Sequence, residues 1–277
     1  MPQSTDQFAT FDGWRLFESN RSPEDRPPRA VVAIVHGYAE HSGRYEEVAG
    51  RLLAAGYGVY QFDLRGHGRS EGPRAFVRSF DDYVRDVQAF VEQVRRRHEG
   101  PLFLLGHSMG GLIAARWTLA NPLGASGLVL SGAALKVNDR IHPWLQRMSS
   151  AIGMVAPRLP TIRLDDAALS RSAETVRRFR EDPLVYHGRM PARTGAEILR
   201  AARQLAPRFS EFRLPLLIMH GGDDRLADPE GSRHLHAQAV SRDKTLKLYP
   251  GLYHEIFHEP ERRQVLDDLV AWLDERS

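Results

Sequence analysis

The sequence predicts an α/β fold: a mostly parallel central sheet with helices on both faces, interrupted by an inserted helical segment. Three observations carry this. Short apolar runs rich in β-branched residues, such as Ala30-Val31-Val32-Ala33-Ile34-Val35, have the character of strands buried on both faces. Stretches of helical periodicity alternate with them, as repeated β-then-α units require. From about residue 137 to 213 the alternation stops without a convincing strand, in a stretch too long for a structureless loop.

The elements follow in order. Residues 8–11 and 14–17 flank Asp12-Gly13, a strong turn dipeptide, and are expected to form a hairpin. Residues 21–29 are Pro-rich and charged, and read as a surface loop. The strand at 30–35 is followed by a helical stretch over 45–55 and a second buried strand at 57–62. Ser79 with Asp82 resembles a capping box before a helix whose apolar face is Tyr83, Val84, Val87, Phe90, Val91 and Val94. Strands at 101–105 and 127–130 enclose a helix over 112–119, ended by Asn121-Pro122. Beyond the insertion come a strand at 215–219, a helix near 229–240, a strand at 245–249 and a closing helix over 260–272. The expected organisation is a core of residues 1–136 and 214–277, with residues 137–213 inserted as a helical cap.

A chain of 277 residues suits one large α/β domain or one domain carrying an insertion. Its charged fraction of 26% is ordinary, which argues against disorder over most of its length. The absence of cysteine excludes disulfides, thiolate zinc sites and a cysteine nucleophile, and is compatible with a reducing compartment. Net charge is only +3 and the arginines lie among acids, as in Arg177, Arg178 and Arg180 followed by Glu181 and Asp182. A nucleic-acid binder concentrates its basic residues on one face, so no nucleic-acid partner is expected. The first ten residues lack a signal-peptide pattern, and no apolar run approaches the roughly 20 residues that cross a bilayer. The expectation is a soluble, cytoplasmic protein that at most touches a membrane surface.

The strongest chemical signal is Gly106-His107-Ser108-Met109-Gly110-Gly111, a G-x-S-x-G pattern with a buried strand before it and a helix after it. A sharp strand-to-helix turn would push Ser108 into a strained conformation, with its hydroxyl at a helix N-terminus where free N–H groups favour negative charge. A serine hydroxyl needs a base to take its proton. In this arrangement the acid and the histidine follow in chain order, each in a loop at the C-terminal end of a strand. The strand at 215–219 runs into His220-Gly221-Gly222-Asp223-Asp224, and the strand at 245–249 into Pro250-Gly251-Leu252-Tyr253-His254. Asp224 is the favoured acid, with Asp223 and Asp228 as competitors. His254 is the favoured base, with His258 as competitor, while His234 and His236 lie mid-helix and read as surface residues. Ile34-Val35-His36-Gly37-Tyr38 places the backbone N–H of Tyr38 where it could stabilise an oxyanion, together with the N–H of Met109.

Taken together these segments resemble the monoacylglycerol lipase family of the α/β-hydrolase fold. The narrowest match is His36-Gly37-Tyr38-Ala39-Glu40-His41-Ser42-Gly43-Arg44-Tyr45, followed by the segment from Asp63 to Gly72, the serine motif, Asp224-Arg225-Leu226 and the stretch ending at His254. The resemblance implies a triad of Ser108, Asp224 and His254, oxyanion donors at Tyr38 and Met109, and a helical lid over an apolar acyl tunnel. It also implies that Glu40 and Arg44 lie near the glycerol head group; read without the resemblance, they are a surface ion pair at i and i+4. Phe257 stands where some relatives carry a histidine, which puts a polar contact from that position in doubt. The apolar residues Trp144, Leu145, Met148, Ile152, Met154 and Val155 are candidates for transient contact of the lid with a membrane.

The expected activity is hydrolysis of a monoacylglycerol to glycerol and a fatty acid, with no metal or organic cofactor. A lysophospholipase or general carboxylesterase shares the same machinery. A non-catalytic ligand-binding protein on a hydrolase scaffold is the alternative from a different class.

Overall fold

The computed structural model describes residues 4–136 and 152–277. Eight strands form one sheet: β1 (Ser4–Ala9), β2 (Arg15–Arg21), β3 (Val31–Val35), β4 (Gly58–Phe62), β5 (Leu102–His107), β6 (Gly127–Ser131), β7 (Leu216–Gly221) and β8 (Lys244–Tyr249). Their order is β1-β2-β4-β3-β5-β6-β7-β8. The two pairings made by β2 are antiparallel, and every pairing from β4 to β8 is parallel. The chain passes from β3 to β4 on one side, then returns to lay β5 on the other side of β3. That reversal opens a crevice at the C-terminal ends of β3 and β5, where open α/β sheets place their sites.

Strand periodicity divides the core. Val31, Ala33 and Val35 face one apolar cluster, which holds α2 (Phe80–Arg97) and α3 (Met109–Ala120). Val32 and Ile34 face a second, against α1 (Glu46–Ala54) and α7 (Arg262–Asp274). β3 is therefore buried on both faces, which is why it reads as an unbroken apolar run. Shortening Ile34 to alanine removes a fully buried side chain, a change that costs about 2–5 kcal/mol. The capping box before α2 is present: Ser79 Oγ accepts from the Asp81 N–H, and Asp82 Oδ2 accepts from the Ser79 N–H.

The hairpin departs from its expected register. Phe8 pairs with Leu16 and Ala9 with Arg15, and the turn runs from Thr10 to Gly13, closed by Gly13 N–H on Thr10 O. A two-residue turn at Asp12-Gly13 would pair Phe8 with Phe17. The extra loop residue shifts the ladder by one position, which decides which side chains face inward. Phe8 and Leu16 are buried, while Phe11 and Trp14 stay exposed.

Between β6 and β7 the described residues form α4 (Ala173–Glu181), α5 (Ala192–Leu205) and short 3₁₀ turns, with no strand in the sheet. This segment is fastened to the rest at several points. Tyr186 N–H donates to Ala39 O at 2.8 Å and Glu255 N–H to Leu169 O at 2.8 Å. Glu197 Oε2 accepts from the Phe80 N–H at 2.9 Å, and His41 meets Asp182 at 2.9 Å. Trp144, Leu145 and Met148 lie outside the described residues. Met154 and Val155 are 68% and 88% exposed, while Ile152 is partly buried. Among the described residues no helix is long and apolar enough to cross a membrane.

Candidate active site

Ser108 is the residue between β5 and α3, and its backbone takes φ 52° and ψ −120°. A non-glycine residue held there costs of order 1–3 kcal/mol and persists only where its surroundings over-determine it. Here Ser108 N–H donates to Ser131 O, while Ser108 O accepts from the N–H groups of Leu112 and Ala134. The tight crossing explains the flanking glycine: a Cβ at position 110 would stand 2.2 Å from Val35 O and 2.3 Å from His36 O. Met109 N–H, at the first turn of α3, has no intrahelical acceptor.

His254 follows β8 and Asp224 follows β7. His254 Nδ1 lies 2.7 Å from Asp224 Oδ2, so Nδ1 carries the hydrogen and Nε2 is left for another partner. Burial alone would raise the Asp224 carboxyl, but the two imidazoles beside it overcome this and hold it well below the usual range. For His254 burial works downward, and the Asp224 carboxylate outweighs it, so the imidazole is raised above 6.5. The competitors are otherwise engaged. Asp223 is exposed, Asp228 caps α6 (Pro229–Gln238), and His258 Nε2 lies 2.8 Å from Arg44 O. His234 and His236 sit on α6, exposed and partly exposed.

A second histidine, unforeseen from the sequence, grips the same acid. His220 Nε2 is 3.0 Å from Asp224 Oδ2 and 3.2 Å from Ala227 O, two acceptors that require the hydrogen on that nitrogen. Asp224 Oδ1 accepts from the N–H groups of Leu226 and Ala227. The i and i+4 spacing of His220 and Asp224 was the available signal.

The loop after β3 is equally constrained. His36 Nε2 accepts from the Leu64 N–H, so its Nδ1 hydrogen goes to Gly37 O at 2.7 Å. Burial pushes this imidazole down to about 3, which keeps it neutral. The carbonyl and the N–H of one peptide unit point opposite ways, so anchoring Gly37 O fixes the direction of the Tyr38 N–H. The Gly37 backbone and the Ser108 side chain nearly touch: a Cβ on Gly37 would be 3.2 Å from Ser108 Cβ. The Tyr38 ring turns aside, edge-on to His67 and Tyr186.

Glu40 and Arg44 are paired at 3.3 Å, but Glu40 is buried and the Arg44 side chain is only 9% exposed, so this is not a surface pair. Arg44 donates from both terminal nitrogens to Glu255, at 2.6 and 2.7 Å, and stacks on the Phe179 ring. Glu40 Oε1 accepts from the Gly37 N–H and the Tyr45 hydroxyl. Tyr45 and Glu255 were not singled out in the sequence, and Glu255 lies 211 positions from the arginine it meets.

Ser108, His254, Tyr38, Met109 and Glu40 line one cavity, of about 610 Å³ including its mouth. Opposite them Leu164, Leu169, Phe179, Met190 and Ile198 form an apolar wall. All five belong to the segment between β6 and β7. Among the described residues no group of three or more His, Asp or Glu side chains could hold a metal ion.

A serine on a strand-to-helix elbow, with an acid-held imidazole at the same edge of this sheet, defines an α/β-hydrolase of the serine type. The family model described as Serine aminopeptidase, S33 (Hydrolase_4) matches residues 26–261, and the chain belongs to that family. It is 41% identical to a monoacylglycerol lipase of Mycolicibacterium smegmatis, over 98% of this chain and 97% of that protein. It is 34% identical to the phospholipase YtpA of Bacillus subtilis, over 91% of this chain and 97% of that one. The crystal structure of a Paleococcus ferrophilus monoacylglycerol lipase superposes with a TM-score of 0.85, at 32% identity, covering 95% of this chain and 99% of that one.

Proposed function

We propose that this protein hydrolyses monoacylglycerols to glycerol and a free fatty acid through an acyl-enzyme on Ser108. The observation that carries the reading is one cavity with a polar floor, where Ser108 and His254 stand, and an apolar roof of Leu164, Leu169, Phe179, Met190 and Ile198. Ser108 Oγ attacks the ester carbonyl while His254 Nε2 takes its proton, and Asp224 stabilises the imidazolium that forms. The oxyanion is held by the N–H groups of Tyr38 and Met109; removing one such donor typically costs about 3–4 kcal/mol of transition-state stabilisation. Glycerol departs with the proton from His254, and water repeats the sequence on the acyl-enzyme. The segment 137–213 acts as the lid over the acyl chain. Its exposed Met154, Val155, Leu159 and Ile162 are suited to brief contact with a lipid surface.

An aminopeptidase, as the family description would have it, needs an uncompensated carboxylate for the substrate's ammonium group. Among the described residues the two that line the cavity, Glu40 and Glu255, both face Arg44. A phospholipase keeps the same chemistry, and the Bacillus relative favours testing it. The experiment is turnover of mono-, di- and triacylglycerols and of a lysophospholipid by the wild type and by Ser108→Ala. The expected result is preference for the monoacylglycerol and a loss of about 10⁴–10⁶-fold in the variant. A variant with undiminished turnover contradicts the mechanism; labelling of the wild type by a fluorophosphonate, absent in the variant, separates an enzyme from a binding protein.

A further inference from the structure

The loop that presents the Tyr38 N–H is bent as no simple strand exit requires. Ala39 takes φ 69°, the left-handed region that residues with a Cβ avoid, so the bend must be held by its surroundings. Three hydrogen bonds hold it: His36 to Gly37 O, Tyr186 N–H to Ala39 O, and Gly37 N–H to Glu40 Oε1 at 2.6 Å. Only the last is made by a side chain that also lines the cavity.

Glu40 is already held at three of its roughly four acceptor sites. Oε1 accepts from Gly37 N–H and from Tyr45 Oη at 2.7 Å, and Oε2 faces Arg44. Arg44 is in turn clamped on Glu255 and packed on Phe179. A substrate hydroxyl arriving at Glu40 would find one oxygen holding two donors and the other against a guanidinium. Arg44 turning to a substrate would strip buried Glu255 of its two-point partner and leave it the His258 Nδ1 contact at 3.3 Å.

We propose that Glu40 is a positioning residue: its carboxylate holds the Gly37 amide and so aims the Gly37–Tyr38 peptide at the developing oxyanion, with Arg44 and Glu255 keeping that carboxylate in place. The proposal rests on the reading of Tyr38 N–H as an oxyanion donor. Charge strengthens the bond to the amide, but a negative group so near the reaction opposes the oxyanion, and Arg44 offsets part of that field. The competing role for Glu40 is recognition of the glycerol head group, and the two roles leave different kinetic marks.

The test compares 1-octanoylglycerol with methyl octanoate, which share an acyl chain and differ in the alcohol. Glu40→Ala is expected to lower kcat roughly 10- to 100-fold on both esters, less than the 10²–10³ of an outright missing donor, with KM changed less than about threefold. Glu40→Gln, which keeps a carbonyl oxygen for Gly37 and Tyr45, should recover most of the loss. Loss confined to the glycerol ester and expressed in KM overturns the proposal, as does a Gln variant as damaged as the Ala variant. Should Glu40→Ala not fold, as judged by circular dichroism and melting, Tyr45→Phe carries the test. That variant frees Glu40 at one point, and a several-fold fall in kcat on both esters is expected; no fall overturns the idea. Each variant is read against an active wild type, so inactivity of the wild type on both esters, or activity of Ser108→Ala, refutes the underlying function instead.

Discussion

On the floor of the cavity the polar groups that bear on the reaction are held by several partners: Asp224 by two imidazoles and two amides, Ser108 by three backbone bonds, Gly37 by His36 and Glu40. On the roof, Leu164, Leu169, Phe179, Met190 and Ile198 present carbon. The difference teaches a division of labour. Directional bonds fix atoms to fractions of an ångström, which bond-making requires. Apolar contact is non-directional and scales with area, which suits a surface that must accept a flexible chain. Changes to the floor should therefore fall on kcat for every ester, and changes to the roof should depend on acyl length.

The sharpest way to break that division is Asp224→Asn. It leaves His254 in place without the carboxylate that orients its ring, and kcat should fall about 10³–10⁴-fold on short and long esters alike. In the wild type the acid limb of kcat/KM should lie above pH 6.5, because Asp224 raises His254 against the effect of burial. In the variant burial is left less opposed and the limb should move down the pH scale. A limb that stays where it was would show that the carboxylate does not set the base.

Second in size is acid stability. His36 and His67 are lowered to about 3, and His107 well below 6.5, chiefly by burial. For such depressed imidazoles stability is complete above the unfolded value of about 6.5 and is lost as pH falls below it, since only the unfolded chain takes up the proton. Each contributes a loss of about 1.4 kcal/mol per pH unit until its folded value is reached. His254, raised instead, contributes stability that is fully present below 6.5 and is lost as pH rises through its folded value, so it leaves the slope below 6.5 to the other three. The melting temperature should therefore fall between pH 7 and pH 5. A flat melting profile over that range would mean the floor does not rest on neutral imidazoles.

The smallest effect tests the roof. Ile198→Trp adds bulk to the apolar wall while leaving the floor untouched. Hydrolysis of long-chain monoacylglycerols should drop about 10- to 100-fold, as overpacking by one to three kcal/mol dictates, with butyryl esters nearly unaffected. Equal loss on both would erase the distinction between roof and floor.

How much of this was legible follows from where each interaction lies along the chain. The elbow could be read because its determinants are local: a doubly buried strand, Gly106 and Gly110 around Ser108, and a helix directly after. The meeting of Asp224 with His254 could be anticipated because each lies in a loop just after a recognisable strand. The hairpin register was missed because Asp12-Gly13 fits two turn lengths that differ by one residue. The burial of Glu40 and Arg44 was hidden because it depends on Glu255, at the far end of the chain and beside His254 only after folding. His220 was within reach, four positions before its acid, but a histidine at a strand end has many other uses.

The left-handed backbone of Ser108 has a consequence for the protein's resilience. A glycine occupies φ 52° without the steric penalty that a Cβ brings, so Ser108→Gly should give a chain that melts higher than the wild type and hydrolyses nothing. The proposed nucleophile is thus a point where durability is given up for reactivity. The same variant would serve as a sturdy, inert receptor in which an intact ester can be trapped and observed.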